Sequence, residues 1–221
     1  MKTSFKSRLS VSLVTTTWNE RDNIKRLIPM LRRVLEGVTH EIIVVDDSST
    51  DGTIHVAKRI ADKAVRKKRE GQTKGLLFGM KIANYPLIIT IDADLENDPQ
   101  YIPRLLQLAE QYDLIVASRT ELPRVSERVS SIILGRFLNV TDVFSNFRLY
   151  RKDVIASIEL KGGETFGAEF LISAKKRGFK IGEIFYDPPP RRKNPRIGGN
   201  IRANLRIFWA LLKSIILYLF F

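Results

Sequence analysis

The chain has no cysteine, which excludes disulfides, thiolate nucleophiles and zinc–sulfur sites. It has only two histidines, His40 and His55, too few for a histidine-built metal centre. Any metal must therefore sit among oxygen ligands, which favours Mg²⁺ or Mn²⁺. No low-complexity tract and no repeat of fixed period interrupts the 221 residues. Residues 1–8 (MKTSFKSR) are polar and run straight into a strand-like segment, so no secretory signal is expected. Acidic residues are scarce: 24 Asp+Glu stand against 37 Lys+Arg, a formal charge of +13. That balance calls for anionic partners, whether nucleic acid, lipid headgroups or phosphorylated substrates. A hydrophobic fraction of 44% is enough to bury one sizeable core, with or without an appendage.

Apolar periodicity divides the first half of the chain. Leu9–Thr15 alternates and is β-branched, as in a strand, and Glu20–Glu36 carries Ile24, Leu27, Ile28, Leu31 and Leu35 at helical spacing. Glu41–Asp46 and Leu87–Ile91 are continuous apolar runs, the pattern of strands covered on both faces. Thr53–Ala64 and Lys74–Ala83 read as helices, Pro99–Gln111 as a helix opened by Asp98 and Pro99, and Leu114–Ala117 as a further strand. Strands alternating with helices from residue 9 to about 120 predict an α/β fold with a largely parallel sheet. Beyond it, Arg119–Arg151 is arginine-rich with scattered turns, Gly162–Arg177 a loop and helix, Lys180–Phe185 a strand, and Asp187–Asn200 a Pro/Gly/Arg loop.

The last segment, Ile201–Phe221, is apolar and basic. Leu205, Phe208, Leu212, Ile216 and Leu219 share one helical face, while Arg202, Arg206 and Lys213 share another. A bilayer span needs about 20 mostly apolar residues, and Lys213 interrupts this one. The expectation is an interfacial helix or the start of a transmembrane region, with residues 1–200 as the catalytic domain and 201–221 as the tail.

Ligands of open α/β sheets bind at the carboxyl ends of strands, and the acidic clusters fall there. Asp92, Asp94 and Glu96 follow one buried strand. If extension continues past that strand, Asp92 and Asp94 point to one side. Like charges held close repel unless a cation compensates them, and Mg²⁺ or Mn²⁺ would do so while bridging to a diphosphate. Asp46 and Asp47 end another strand, ahead of a Ser/Thr turn in which Asp51 and Thr53 cap the next helix.

In order and spacing, Thr16-Thr17-Trp18-Asn19-Glu20, Val44-Val45-Asp46-Asp47, Asp92-Ala93-Asp94, Ala117-Ser118-Arg119 and Ser145-Asn146-Phe147-Arg148-Leu149-Tyr150-Arg151 resemble the motifs of family 2 glycosyltransferases with a GT-A fold. Phe166 to Glu169 resembles the same family's Phe/Glu helix start. The likeness covers roughly residues 9–202 and is nearest to the dolichol-phosphate mannose synthases and related polyprenyl-phosphate hexosyltransferases.

What the resemblance implies is specific. Thr16, Trp18 and Glu20 would hold the base and ribose of a nucleoside-diphosphate sugar, with Val45 and Asp47 opposite. Asp92 and Ala93 would touch the nucleotide, Asp94 and Glu96 would hold Mg²⁺ or Mn²⁺, and Arg119 would lie between donor and acceptor phosphates. Arg124 and Arg128 would attract the acceptor phosphate, and Arg196 and Arg202 would close over the diphosphate. Asp94 and Arg119 would carry catalysis. The implied reaction is an inverting transfer of a hexose, mannose from GDP-mannose by family likeness, to a polyprenyl or dolichyl phosphate. It would occur at an anionic membrane surface on the cytoplasmic face, with no nucleic acid as partner.

The chain departs from the family pattern in places. Trp18 replaces a tyrosine, Glu96 a glutamine, Asn146 a glycine and Ile201-Arg202 a Ser-Lys pair. Two other readings compete. A sugar or polysaccharide acceptor would need a carboxylate base, for which Asp142 or Glu169 would serve. A non-catalytic nucleotide- or nucleic-acid-binding module fits the charge but not the carboxylates at strand ends. Arg124 and Arg128 also have an alternative, pairing with Glu121 and Glu127 on a solvated surface.

Overall fold

The computed structural model describes residues 9–160 and 166–189, together with the helical positions Trp209, Leu212 and Ile216. Seven strands form one sheet: β1 (Ser10–Thr17), β2 (Thr39–Asp46), β3 (Lys63–Arg66), β4 (Leu87–Thr90), β5 (Leu114–Arg119), β6 (Arg148–Arg151) and β7 (Ile181–Tyr186). Their spatial order is β3-β2-β1-β4-β6-β5-β7, and only β6 runs antiparallel to its neighbours. The expected mixed α/β fold with a mostly parallel sheet is present.

Strand alternation sorts side chains into two cores. Val11, Leu13, Ile42 and Val44 join Ile24, Leu27 and Leu31 of α1 (Arg21–Val34), Ala57 of α2 (Thr53–Ile60) and Leu105 of α4 (Ile102–Leu108) on one face. Val14, Ile43 and Val45 join Leu76 and Met80 of α3 (Gln72–Lys81) on the other. The same face carries Leu134 and Leu138 from the helical run after β5, Val154 of α7 (Lys152–Ser157) and Phe170 and Leu171 of α8 (Phe166–Lys176). That helical run consists of α5 (Val125–Ser130), a π turn (Ser131–Gly135) and α6 (Arg136–Leu138).

Two glycines bring α3 close to the sheet. A Cβ on Gly75 would lie 2.7 Å from Thr16 Cγ2, and one on Gly79 would lie 2.3 Å from Val14 Cγ1. Any side chain at either position would push α3 off β1, and with it Gln72 at the head of that helix.

Several expected elements change. The helix expected over Thr53–Ala64 stops at Ile60, and Lys63–Arg66 forms edge strand β3, whose backbone pairs with β2. The arginine-rich stretch contains a helical run and the central strand β6, whose four residues are too short for alternation to show. The helix expected from Pro99 begins as a 3₁₀ turn, with Asp98 accepting from the Gln100 N–H at 2.9 Å as its cap. Strand β4 ends at Thr90, and the chain turns at Ala93 and Asp94 ahead of a left-handed Leu95 (φ 65°), so extension does not continue from Asp92 to Asp94. Residues 201–221 lie outside the described residues apart from the three helical positions, each exposed. Among the described residues, no helix is long and apolar enough to cross a membrane.

Candidate active site

The chain reverses direction across the sheet between β1 and β4. From β1 it winds outward through β2 and β3, then returns through α3 to place β4 on the other side of β1. At such a switch point the loops leaving neighbouring strands diverge and open a crevice at their carboxyl ends. Trp18 and Asp47 follow β1 and β2 there, and Asp92 follows β4.

The β1 and β2 loops are laced together. Asn19 (φ 56°) donates its backbone N–H to Ser49 Oγ at 2.8 Å and accepts from the Thr50 N–H at 2.9 Å. The Glu20 N–H reaches Thr53 Oγ1 at 3.0 Å, and Glu20 Oε2 accepts from Asn23 at 2.5 Å. Asp51 Oδ1 accepts from the Thr53 N–H at 3.0 Å, which supports its structural capping role. Asp46 is fully buried, held by Thr17 Oγ1 at 3.2 Å and the Ser49 N–H at 3.0 Å.

Asp47 anchors the loop after β3. It accepts from Lys67 Nζ at 2.6 Å and from the N–H groups of Glu70 and Gly71, each at 3.0 Å. Burial alone would raise its pKa, but Lys67 and the two backbone donors outweigh that and hold it below its ordinary value. This loop carries Arg69, whose guanidinium carbon sits 3.6 Å from the centroid of the Trp18 ring, a cation–π stack. Thr16 is half-buried against Gly75, and the Val45 side chain lies wholly in the core beneath α3.

The acidic cluster after β4 is electrostatically strained. Burial, and then the charge of Asp94, push the pKa of Asp92 up to about 7, with Glu96 adding to the rise. Hydrogen bonds from Asn146 and from Gln72, at 2.5 Å, oppose it only in part. Asp92 retains some accessible surface, yet protein crowds its carboxylate. The left-handed turn at Leu95 lets the Glu96 N–H donate to Asp94 Oδ1 at 3.0 Å. Asp94 is exposed, Glu96 half-buried and Ala93 buried.

Among the described residues, no group of three or more acidic or histidine side chains encloses a metal position. Two hard carboxylates beside a repelling third nevertheless suit Mg²⁺ or Mn²⁺. Such ions commonly take one or two carboxylates and complete their shell with substrate phosphates and water.

At the same end of the sheet, beside β5, two buried carboxylates and two half-buried guanidinium groups run in series from Asp142 to Arg119, Glu127 and Arg124. Arg119, at the end of β5, donates to Asp142 Oδ2 at 2.6 Å and lies 3.4 Å from Glu127 Oε1. Arg124 donates to that same Glu127 oxygen at 3.0 Å. Burial works against the charged form of Arg119, but the two carboxylates more than compensate and raise its pKa. Arg124 therefore pairs with Glu127, which is buried, while Arg124 itself is half-buried rather than freely solvated. Arg128 donates to the Leu122 carbonyl at 2.8 Å. The two arginines, expected to act together, are thus held by different partners.

The acidic cluster and the arginine chain are linked. Asn97 accepts from the Asp92 N–H at 3.2 Å and donates to the Tyr186 hydroxyl at 2.7 Å. Tyr186 in turn feels the charges of Arg119, Asp142 and Asp92. Sequence reasoning missed Gln72, Arg69 and Tyr186, which arrive from elements distant in the chain, and Asn97, which follows the acidic cluster directly but carries no charge to mark it. Glu127 was visible only as an i+3 neighbour of Arg124. Arg148 went unassigned; it is fully buried and ties Gly167 to Val143 by donating to both carbonyls at 2.9 Å. Arg196 and Arg202 lie outside the described residues.

Comparison with known proteins agrees with this architecture. The family model described as "Glycosyl transferase family 2" matches residues 12–158. The dolichol-phosphate mannosyltransferase of Pyrococcus furiosus is 29% identical over 188 residues, covering 76% of this chain and 53% of the relative. The dodecaprenyl-phosphate galacturonate synthase of Rhizobium johnstonii is 30% identical over 173 residues, covering 70% of this chain and 51% of the relative. The chain thus spans about half the length of these two curated relatives. Among solved structures, glucosyl-3-phosphoglycerate synthase from Mycobacterium tuberculosis superposes with a TM-score of 0.77 at 21% identity, covering 96% of this chain and 81% of that one. That protein was crystallised with Mn²⁺, UDP and glucosyl-3-phosphoglycerate.

Proposed function

The chain belongs to glycosyl transferase family 2, and from that premise we propose that it moves a hexose from a nucleoside-diphosphate sugar to a polyprenyl phosphate, with inversion at the anomeric carbon. One observation carries the reading. A self-repelling acidic cluster at the end of β4 and a chain of paired arginines at the end of β5 stand at the same end of the sheet, joined through Asn97 and Tyr186. The first suits a cation and a diphosphate, and the second suits a further anion. The curated relatives bear names of polyprenyl-phosphate sugar transfer, which supports the acceptor class.

On this reading Trp18 offers its face to the base, while Asp47 shapes the pocket by fixing the loop after β3 rather than by lending its carboxylate to the ribose. Asp94 and Glu96 hold the divalent ion. When bound, the ion neutralises the charge that grows on the diphosphate as the sugar departs. The superposable synthase's Mn²⁺ and UDP fit the same class of donor complex. Arg119, kept charged and fixed by Asp142 and Glu127, lies where two phosphates would approach and lowers their mutual repulsion. Arg124 and Arg128 meet the acceptor phosphate, and Arg196 and Arg202 close over the donor. A phosphate monoester has a second pKa of about 6, so it attacks as an anion without a strong general base. Residues 1–200 form the catalytic unit, 201–221 attach it to the cytoplasmic face of a membrane, and mannose from GDP-mannose is the first donor to try.

A hydroxyl acceptor is less well served. Asp142 is buried and commits Oδ2 to Arg119, and Glu169 is also buried. Neither carboxylate stands open to take a proton from an incoming alcohol.

The test is incubation with a panel of nucleotide-sugars, Mn²⁺ and a short polyprenyl phosphate, followed by mass spectrometry. A glycosyl-phosphoprenol is expected. Transfer only to a sugar or to a small phosphorylated alcohol would overturn the acceptor assignment.

A further inference from the structure

Strand β7 reaches the end of β5 on both faces of the sheet. Tyr186 lies in the core of one face, and alternation turns Glu183 to the other. Glu183 stands beside Val116 in the parallel register, on the same side as Ser118 two residues further along β5. Its half-buried carboxylate gathers three hydrogen bonds. Oε1 accepts from the Ser118 hydroxyl and from the Thr141 N–H, the latter at 2.5 Å, and Oε2 accepts from the Thr141 hydroxyl at 3.3 Å. Among the described residues these partners are neutral, whereas Asp142 and Glu127 face guanidinium groups.

The Ser118 hydroxyl is the pivot. An ionised carboxylate can only accept, so the hydroxyl gives its proton to Glu183 and keeps its oxygen for the Asp142 N–H, which it accepts at 3.1 Å. Glu183 thereby fixes two successive amides, Thr141 directly and Asp142 through Ser118. Asn139 leaves the helical run with a left-handed backbone (φ 55°), so Asp142 is set by tertiary contacts rather than by a helix. Asp142 in turn holds Arg119 Nε at 2.6 Å. Alone, an arginine and a carboxylate could swing as a unit; the Ser118 bridge ties this pair to the sheet. With Asp142 displaced, the guanidinium would follow Glu127, which lies 3.4 Å away on the other side.

We propose that Glu183 is a positioning residue for sugar transfer: through Ser118 and Asp142 it sets the point at which the Arg119 guanidinium meets the phosphates. The inference rests on the reading of Arg119 as the group between donor and acceptor phosphates, and deepens it. Glu183 itself touches no substrate. Its carboxylate works by orienting one hydroxyl and two amides, and the last of these carries the clamp on Arg119.

The experiment compares Glu183→Ala, Ser118→Ala and Glu183→Gln in the full chain, each below its melting temperature. Two quantities are read. One is the side-chain proton–nitrogen resonance of Arg119 Nε, assigned by its disappearance in Arg119→Lys. The other is kcat with the acceptor that the nucleotide-sugar panel yields. Both alanine variants should shift or broaden the Arg119 resonance and lower kcat by about 10- to 100-fold, the scale of a small misplacement beside reacting groups. Nucleotide affinity should stay near wild type. Glu183→Gln keeps an oxygen acceptor for Ser118 and Thr141 and should restore both readouts. In an Arg119→Lys background, Glu183→Ala should lower the melting temperature as before but cost little further kcat, because the two residues act as a unit. Equal kcat losses in the two backgrounds would overturn the proposal and leave Glu183 a structural residue. So would an Arg119 resonance unmoved in both alanine variants, or one that moves while kcat holds. If the expected pattern appears with a hydroxyl acceptor instead of a prenyl phosphate, the role of Glu183 stands and the acceptor reading fails.

Discussion

The sheet carries a carboxylate network at each end, and the two are built on opposite principles. At the amino end, Glu41 is buried and fully matched: it accepts from Ser12 Oγ and the Asn84 N–H, each at 2.6 Å, and lies 2.9 Å from Lys63 Nζ. Burial pushes its pKa up, but these donors overcome burial and leave it below its ordinary value. At the carboxyl end, Asp92, Asp94 and Glu96 press on one another, and Asp92 is driven the other way. The first network spends its charge on holding β1, β2 and β3 together. The second leaves its repulsion only partly offset by Gln72 and Asn146, and on the proposed function a cation would relieve it. A sheet whose strands mostly run parallel makes the division possible, because the loops that can gather around a ligand all leave from one end.

The sharpest break of this contrast is Asp94→Asn. Turnover should fall by about 10²–10³-fold, the usual cost of one group stabilising charge in the transition state. Melting temperature should hold, since an exposed and mutually repelling charge adds little to the fold. A variant that melts early but turns over normally would place Asp94 in the first network instead. Glu41→Ala should do the reverse. Removing one member of a buried ion pair costs about 3 kcal/mol or more, read by denaturant unfolding, with nucleotide affinity unchanged in the molecules still folded. The pH dependence follows from sign. The pKa of Glu41 is lowered in the folded state, so its contribution is complete above the unfolded pKa and disappears as pH falls through the folded one. Wild type should therefore lose its advantage over Glu41→Gln on acidification below about pH 4. Equal slopes for the two proteins would remove Glu41 from the account.

Asp92→Asn is smaller and opposite in direction. Relieving the repulsion should stabilise the metal-free protein, and each 1 kcal/mol gained would raise the melting temperature by roughly 2–4 °C. A fall would show that the Gln72 and Asn146 contacts outweigh the repulsion. Smallest is Arg69→Ala. Its guanidinium covers the ring face proposed for the base, and an exposed cation–π contact is worth about 0.5–1 kcal/mol. Nucleoside diphosphate should bind about two- to fivefold tighter in calorimetry. Weaker binding would make Arg69 a ligand contact rather than a cover.

Much of this contrast was legible in the chain itself. Asp46, Asp47, Asp92 and Asp94 end apolar runs, and strand termini in an α/β alternation are where sites form. Asp51 and Asp98 could be set aside as caps because capping is local. Strand β6 was not legible: its Arg148 is buried and satisfied by the Val143 and Gly167 carbonyls, which nothing nearby in sequence announces. Asp47 reads as a ligand residue from its motif, whereas the structure occupies it with Lys67, Glu70 and Gly71.

The sequence alone determined the fold class, the family, and the strand ends at which acidic and basic groups collect, because periodicity, caps and motif order act over short stretches of chain. Only the tertiary structure decided which charges meet. It seated Arg69 on Trp18, drew Arg119 and Arg124 onto a single buried Glu127, and set Asp92 against Asp94 beneath Asn146 and Gln72. Charge pairing depends on distance and on burial. Both are fixed by the packing of elements far apart in the chain, so no local pattern can report them.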